Sequence, residues 1–476
     1  MAAPTTSGTS TTAAAALPWP PGVTISQPGS DAFKSATERW SIYEAPTFNL
    51  SVSPTSEEQV VEIVKTATTH KIPFLATGGR HGYGTSLGKL RNGLAVDLSN
   101  MKTLAIDAAA ETVTIGPGVK IGDLIGPILE AGYQMPIGSC PDVSVIGATL
   151  GAGVGLFQGL FGLMIDALTS VRLVTAQGEV VEASTSKNPE LFFGIRGAGA
   201  NFGIITSATY KLSKAVNDGQ VFTADVIFPE SMKSDYFNAL KTYEDAMPAE
   251  LAVNTSITWN ADANQTQIIG TFVYSGPEAR AMEVLAPFFK LNPPIIRKSV
   301  VPYDQVSYTI LFGMLPALSQ PGGIHDIWSV NVRKFAVESL NSAFDKFDAF
   351  FKANPDGRLS AGILESFSNQ AVVSSVQDTS YPWREAIGNF TFQMTWPALG
   401  NPVEQAANEL GRSLRDEFAS TSGFPDLSVY VSYAYGDEKL EQIYGDNLRR
   451  LVALKKKWDP ENVFRFNNGL PTVLPS

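Results

Sequence analysis

Two residues in this chain sit in surroundings that could do chemistry, a lone cysteine and a loop histidine. Cys140 is the only cysteine of the 476 residues and opens the stretch GSCPDVSVIGATLGAGVGLFQGLFGLMID, which is uncharged from Val143 to Ile165. His81 lies in TGGRHGYGTSLG, Thr77 to Gly88, where glycines expose backbone N–H groups that can hold an anion without a cationic side chain. Arg80 adds a charge beside it. Taken singly, a loop histidine is an ordinary hydrogen-bonded imidazole and a lone cysteine an inert buried thiol. With a glycine cradle for each, the pair suggests one large cofactor touched at two points.

The uncharged run is longer than the ~18 apolar residues that mark a candidate membrane span. Its glycines at 147, 151, 153, 155, 159 and 162 argue instead for a buried ligand cradle. Glycine costs about 1 kcal/mol at each position inside a helix, and it lets backbone come close to a flat or phosphorylated ligand. The loop at His81 fits neither the GxGxxG fingerprint nor a GxxxxGK[ST] phosphate loop.

Composition narrows the partners. A net charge of -11 makes nucleic acid or an anionic membrane surface a poor partner, since both need a basic footprint. One cysteine and three histidines (His70, His81, His325) exclude a disulfide framework and leave too few soft ligands for a zinc or copper site, so no metal is expected. The length suggests two or three domains. The N-terminal MAAPTTSGTSTTAAAALPWPPG lacks a basic n-region and a long apolar core, so it reads as a disordered segment and a poor signal peptide. The compartment stays open, leaning cytoplasmic, with secretion the alternative. Glycosylation-type triplets at Asn49, Asn254, Asn264 and Asn389 are near chance in number.

The elements that must position these residues follow from periodicity. EEQVVEIVKTATT reads as an amphipathic helix capped by Ser56, with Val60, Val61, Val64 and Ala67 inward. IPFLATGG is a strand that ends in the glycine loop, and KIGDLIGPILEAG a helix closed by Gly132. ALTSVRLVTAQGEVVEAS is a hairpin turning at Gln-Gly. Beyond about residue 215, VFTADVIF, NTSITWN, QTQIIGTFVYSG, GNFTFQMTW and LSVYVSYAYG alternate as strands of an antiparallel sheet backed by helices such as NSAFDKFDAFFKA. A helix and short coil close the chain.

TGGRHGYG, the run from Gly138 to Ser184, NPELFFGIRGAGANFGIITSATYKL and YGDNLRRLVALKKKWDPENVF jointly resemble one family. It is the berberine-bridge-enzyme-like branch of the vanillyl-alcohol-oxidase flavoproteins, and the resemblance covers Phe33 to Leu470 in order. It implies an α+β fold: a bipartite FAD-binding domain of the vanillyl-alcohol-oxidase (p-cresol-methylhydroxylase, PCMH) type with an inserted substrate domain of antiparallel sheet plus helices. The expected divisions are an irregular segment 1–32, FAD-binding parts 33–214 and 438–476, and a substrate domain 215–437.

The resemblance also implies roles. His81 matches the histidine bonded to the flavin 8α-methyl and Cys140 the cysteine added at C6, so FAD is expected to be bicovalent. Thr77, Gly78, Gly79, Arg80, Gly82, Ser139, Gly147, Gly151, Gly153 and Ile205 would line the cofactor, with Asn467 near the ring. The family usually has glycine where Arg80 stands. Val143 matches the position that gates dioxygen, its small side chain resembling the oxidases. SVYVSYAYGD resembles the family's Tyr-x-Asn-Tyr strand, which points to Tyr433 as the base, with Ser432 replacing the usual Asn. A phenol with pKa near 10 would need a cationic or hydrogen-bonding neighbour to work near neutrality. Phe392, Gln393 and Trp396 are candidate substrate contacts, and His325 is expected to be a plain loop histidine.

The implied enzyme is an FAD-dependent oxidase acting on a small, secondary-metabolite-like substrate, with dioxygen reduced to hydrogen peroxide. A biosynthetic cyclase, a carbohydrate or alcohol oxidase and a non-catalytic carrier are the alternatives. The oligomeric state is left open.

Overall fold

Short apolar strands that end in glycine loops build the first part of the molecule as two small sheets. In the computed structural model, which describes residues 14–474, the strands Thr24–Ser26, Phe48–Ser53, Gly93–Asp97 and Phe74–Thr77 lie side by side in that order. The last three are parallel. The helix Glu57–Thr69 connects Phe48–Ser53 to Phe74–Thr77, and the Ser56 hydroxyl accepts from the Gln59 amide at 3.3 Å, as its N-cap position predicts. Its buried residues are Val60, Ile63, Val64 and Ala67; Val61 is only partly covered, so the buried face is turned slightly from the expected one. The strands Leu104–Asp107, Thr112–Ile115, Ile204–Lys211, Leu168–Val174 and Val180–Ser184 form a second, antiparallel sheet.

The expected irregular segment 1–32 is corrected in its second half. Thr24–Ser26 pairs with Ser51–Ser53 on the free edge of the first sheet. Trp19 is buried against the same core, its indole N–H donating to Ala14 O at 3.1 Å. An open strand edge and a large apolar ring supply what the composition did not announce. Residues 1–13 lie outside the described residues.

The glycine-rich run is three short helices, Val145–Thr149, Gln158–Phe161 and Met164–Ala167, separated by turns. Gly153 and Gly162 adopt φ of +77° and +78°, a region open to glycine at no steric cost. Among the described residues no helix is long and apolar enough to cross a membrane.

The inserted part is one seven-stranded antiparallel sheet. Its order is Ile295–Pro302, Gln220–Pro229, Gln265–Tyr274, Leu251–Asn260, Ala361–Phe367, Gly388–Met394 and Asp326–Val332. Alternate side chains divide between two cores. Trp328, Leu364, Phe390 and Phe392 pack under the helices Val337–Ala353 and Val403–Thr421, with Phe344, Phe347 and Phe418 opposite them. Ala252, Val273 and Phe367 face the other way, into the core of the first part. The site lies on that second face.

Residues 428–435 differ from the expected strand. Val431–Tyr433 is a 3₁₀ turn, closed by Tyr433 N donating to Tyr430 O at 2.8 Å. Residues i and i+3 eclipse in such a turn, so Tyr430 and Tyr433 stand together, ring centroids 4.8 Å apart, instead of alternating.

The chain returns to the first part through the helix Leu448–Trp458. There Lys455 Nζ, with no exposed side-chain surface, donates to Asp459 Oδ2, to Phe464 O at 2.6 Å and to Asn201 O at 2.9 Å. Asp459 in turn accepts from the Val463 and Phe464 amides. Removing one partner of such a buried pair leaves an uncompensated charge, at a cost of about 3–5 kcal/mol. Asp459→Ala is therefore expected to lower the urea midpoint sharply and to loosen residues 463–467; an unchanged midpoint would show that the pair is not an anchor.

Candidate functional site

A cavity of about 1020 Å³, counting its open mouth, runs between the first sheet, the helix Val145–Thr149 and the C-terminal coil. Gly78, Gly147, Gly151, Ile205 and Asn467, five of the residues expected to hold a cofactor, line it. So do Ser144, Gly197, Asn201 and Arg465, which the motifs did not single out, and Ser432, the residue noted beside Tyr433. Bare backbone is a geometric need here. A Cβ on Gly78 would lie 2.5 Å from Pro117 O, one on Gly79 2.6 Å from Ser144 N, and one on Gly151 2.1 Å from Ser432 Oγ. The Thr77 hydroxyl is buried without a partner. Small side chains, main-chain donors and one cationic lining residue suit an elongated dinucleotide, so these surfaces fit FAD.

Thr77, Gly79, Arg80, His81, Gly82, Ser139, Cys140 and Val143 are not among the lining residues, nor is Gly153. A Cβ there would strike Met164 at 2.3 Å, and its amide donates to the Tyr430 hydroxyl at 3.0 Å, so it packs the core and holds a tyrosine. Arg80 takes φ +59°, the left-handed conformation that glycine adopts freely. Its Nη1 pairs with Asp97 at 2.7 Å and its Nε donates to Glu38 O at 3.1 Å. Gly82 O accepts from Arg39 Nη2 at 2.8 Å.

His81 follows that clamp. Burial foremost, with Lys120, Arg39 and Arg80 adding, lowers its pKa to about 4 against the pull of Asp142. The imidazole is neutral at physiological pH. Cys140 is half-buried and free, and burial pushes its thiol up, with the Asp142 charge adding. Asp142 thus acts on both residues, and it pairs with Lys120 at 3.0 Å and accepts from Ser319 at 2.5 Å. Ser139 precedes Cys140 in the same half-buried loop. Val143 is partly covered by the core, its amide on Cys140 O at 3.4 Å.

Tyr433 comes from the far end of the chain and meets a carboxylate. Its hydroxyl donates to Glu365 Oε2 at 2.8 Å. Burial raises the Glu365 pKa to about 7, against the lowering effect of that hydrogen bond. Tyr433 is itself pushed well above the ordinary phenol value, by burial first and then by the Glu365 charge. The neighbour of Tyr433 is a carboxylate, which is the reverse of a cation that depresses a phenol. Tyr83 stacks against Tyr433, centroids 6.5 Å apart.

Glu365 lies in a row of the inserted sheet, in register with Asn254 on one side and Asn389, then Asn331, on the other. Asn389 Oδ1 and Asn331 Nδ2 are buried without partners. Two of the glycosylation-type triplets, at Asn254 and Asn389, are therefore site-facing strand residues.

Of the three expected substrate contacts, only Gln393 faces this side. Phe392 and Trp396 are buried in the core beneath the helices, Trp396 edge-on to Tyr43 at 5.3 Å. Side chains alternate across a strand, so Phe392 and Gln393 cannot share a face. Gln393 Nε2 lies 3.3 Å from His325 Nδ1. His325, expected to be a plain loop residue, stacks on Trp40 at 3.9 Å, and Trp40 stacks on His81 at 5.9 Å. Glu365, His325, Trp40 and Asn331 were not marked by any motif. Only cross-strand register and the return of residues 318–325 to the N-terminal segment bring them in.

The comparisons point to the same class of cofactor. Residues 49–184 match the family profile described as FAD binding domain, and residues 429–471 the one described as berberine and berberine like. The chain is 46% identical over 451 residues to the FAD-linked oxidoreductase srdI of Neurospora crassa, across 94% of this chain and 89% of that protein. It is 44% identical over 459 residues to the FAD-linked oxidoreductase OXR1 of Pyricularia oryzae, across 96% and 90%. Among solved structures, Physcomitrella patens BBE-like 1 superposes with a TM-score of 0.82 at 23% identity, covering 95% of this chain and 98% of that one. A chitooligosaccharide oxidase gives 0.80 at 21%, covering 94% and 97%. Likeness of that order speaks to the fold, while the sequence relatives extend along nearly the whole chain. The protein belongs to the berberine-bridge-enzyme-like FAD-linked oxidoreductases.

Proposed function

We propose that the protein is an oxidase that takes a hydride from a substrate C–H bearing a hydroxyl or amine, with Tyr433 receiving the proton and dioxygen reduced to hydrogen peroxide. The observation that carries this reading is the Tyr433–Glu365 hydrogen bond. A phenol held above its ordinary pKa is a poor free base. It can still receive the substrate O–H or N–H proton while its own proton passes to Glu365 Oε2, 2.8 Å away. An acid that ionises near 7 is matched to that task at neutral pH. Tyr433 is then a relay and Glu365 the proton sink.

Bound in the cavity, FAD supplies the hydride acceptor. His81 and Cys140 are the residues that would hold it covalently, the imidazole neutral and therefore nucleophilic. Val143, beside Cys140, would leave dioxygen a path. Tyr83, Tyr433 and His325 supply aromatic rings, and Asn389, Asn331 and Gln393 supply amides. That combination favours a hydroxylated aromatic substrate of the secondary-metabolite type. A chitooligosaccharide oxidase and a xylooligosaccharide oxidase share the fold, and an amide-lined floor keeps a carbohydrate as the second reading.

Three outcomes are expected. Flavin should stay with the protein after acid precipitation, and free release would remove the covalent reading. Tyr433→Phe should slow anaerobic flavin bleaching by a screened substrate by ~10²-fold or more; an unchanged rate would clear it of the relay. Wild-type bleaching should also fall as pH drops below about 7, where Glu365 takes up a proton.

The Glu365 shift carries a stability sign as well. Its folded pKa of about 7 exceeds the ordinary 4.5, so its contribution is fully present below 4.5 and is lost as pH rises through 7. Glu365→Gln cannot ionise. It should match wild type near pH 4, exceed it in thermal midpoint near pH 8, and turn over far more slowly; a lower midpoint near pH 8 would contradict the buried-carboxylate account.

A further inference from the structure

Three consecutive residues outside every recognised motif grip the His81 loop. Glu38 O accepts from Arg80 Nε at 3.1 Å, Arg39 Nη2 donates to Gly82 O at 2.8 Å, and Trp40 N donates to Arg80 O at 3.3 Å. The loop is thereby bracketed on both sides of its histidine. The ring itself is a separate matter. Among the described residues no side-chain hydrogen bond orients the His81 imidazole, and glycines at 78, 79, 82 and 84 offer it little side-chain packing. What it has is the indole of Trp40, offset-stacked at 5.9 Å with 19° between planes, within the range where aromatic pairs attract.

Trp40 is itself held in place. It also stacks on His325 at 3.9 Å and 10°, and its Nε1 donates to Leu318 O at 2.8 Å. Tyr83 meets its edge at 5.8 Å. His325 is fixed in turn, its amide on Ser41 Oγ at 3.2 Å and its Nδ1 within 3.3 Å of Gln393 and 3.4 Å of Thr395. Burial holds both imidazoles neutral, so both stacks on Trp40 join uncharged rings.

We infer that Trp40 is the positioning residue that sets the His81 imidazole plane for its bond to FAD, through the stack and not through its hydrogen bond to Leu318. The inference rests on the covalent-flavin reading above. The bond joins one imidazole nitrogen to the flavin 8α carbon. The imidazole N–H and one methyl C–H give up two hydrogens to the ring system, which is left reduced, and dioxygen takes them as hydrogen peroxide. Such a step needs the attacking nitrogen aligned with the methyl carbon, and a misplacement of about 1 Å costs on the order of 10²-fold. A ring free to rotate about its side-chain torsions loses that alignment without losing its chemistry.

The test isolates the histidyl bond by working in a Cys140→Ala background and reading flavin that stays with acid-precipitated protein, as fluorescence of the denatured band. Cys140→Ala alone should retain flavin. Adding Trp40→Ala should slow covalent incorporation by on the order of 10²-fold, while FAD bound before denaturation reports that the cavity is intact. Trp40→Phe keeps a ring but no N–H, and should restore incorporation. Trp40→Leu, which fills space without a ring, stands in should the alanine variant not fold, and should behave as alanine does. Wild-type incorporation rates in the alanine or leucine variants would overturn the role of Trp40 and leave the covalent reading standing. So would failure of Trp40→Phe to restore what the alanine variant loses. Release of flavin by Cys140→Ala alone would overturn attachment at His81 itself, and the inference with it.

Discussion

The site depends on a seam between chain regions some 350 residues apart. Tyr435 O accepts from the Thr85 amide at 2.6 Å and from its hydroxyl at 2.8 Å, a separation of 350 positions. One residue on, Ser86 Oγ bonds Asn468 at the C-terminal coil. Each such bond contributes only about 1 kcal/mol net, far less than the two cores that bring the segments together. Their role is registration. The loop that carries His81 and Tyr83 is sewn directly to the turn that carries Tyr433, and Ser329 Oγ, from the inserted sheet, donates to Tyr433 O at 2.7 Å. Tyr433 thus takes its position from the first part, the sheet and the C-terminal return at once. None of the three could be rebuilt alone without moving its phenol.

Electrostatics divides the site into two ends with opposite needs. Around His81 stand Arg39, Arg80 and Lys120, answered by Asp97 and Asp142. Burial first, with the positive charges adding, keeps the imidazole unprotonated there. Around Glu365 the neighbours across the strands are asparagines, and the hydrogen-bond partner is a phenol. Burial, with no cation beside it among the described residues to hold it charged, raises the carboxyl into the neutral range. Had an arginine stood at Asn389, Glu365 would be a fixed anion with no appetite for a proton. The amides are what make it a usable acceptor.

Local pattern carried much of this and failed where faces had to be assigned. Helix Glu57–Thr69, the strand into the glycine loop and the Gln-Gly hairpin all follow from short-range rules, and His81 and Cys140 stood out by their glycines. The strand GNFTFQM shows the opposite case. Its alternation places Phe390, Phe392 and Met394 on one side and Asn389, Thr391 and Gln393 on the other, but nothing local says which side holds the site. Aromatic residues drew attention as substrate contacts, whereas here the apolar face is the one under the helices. Glu365, on its own strand, is an acidic residue in a half-apolar run, and only register beside Asn389 and the reach of Tyr433 set it apart. Residues 428–435 read as a strand because tyrosine and valine favour one; the turn at Tyr430–Tyr433 is imposed from outside, by Gly153 and Ser329.

Arg80 shows why a departure from a family pattern need not disturb the site it touches. Glycine at that place adopts the left-handed conformation freely, and a side chain there costs roughly 1–2 kcal/mol. The arginine offsets the strain with what a glycine lacks, a mostly buried ion pair to Asp97 and a bond to Glu38 O. Asp97 is held ready for it, accepting also from Ser53 and Ser99. The exchange is of backbone freedom for a tether on the residue just before His81.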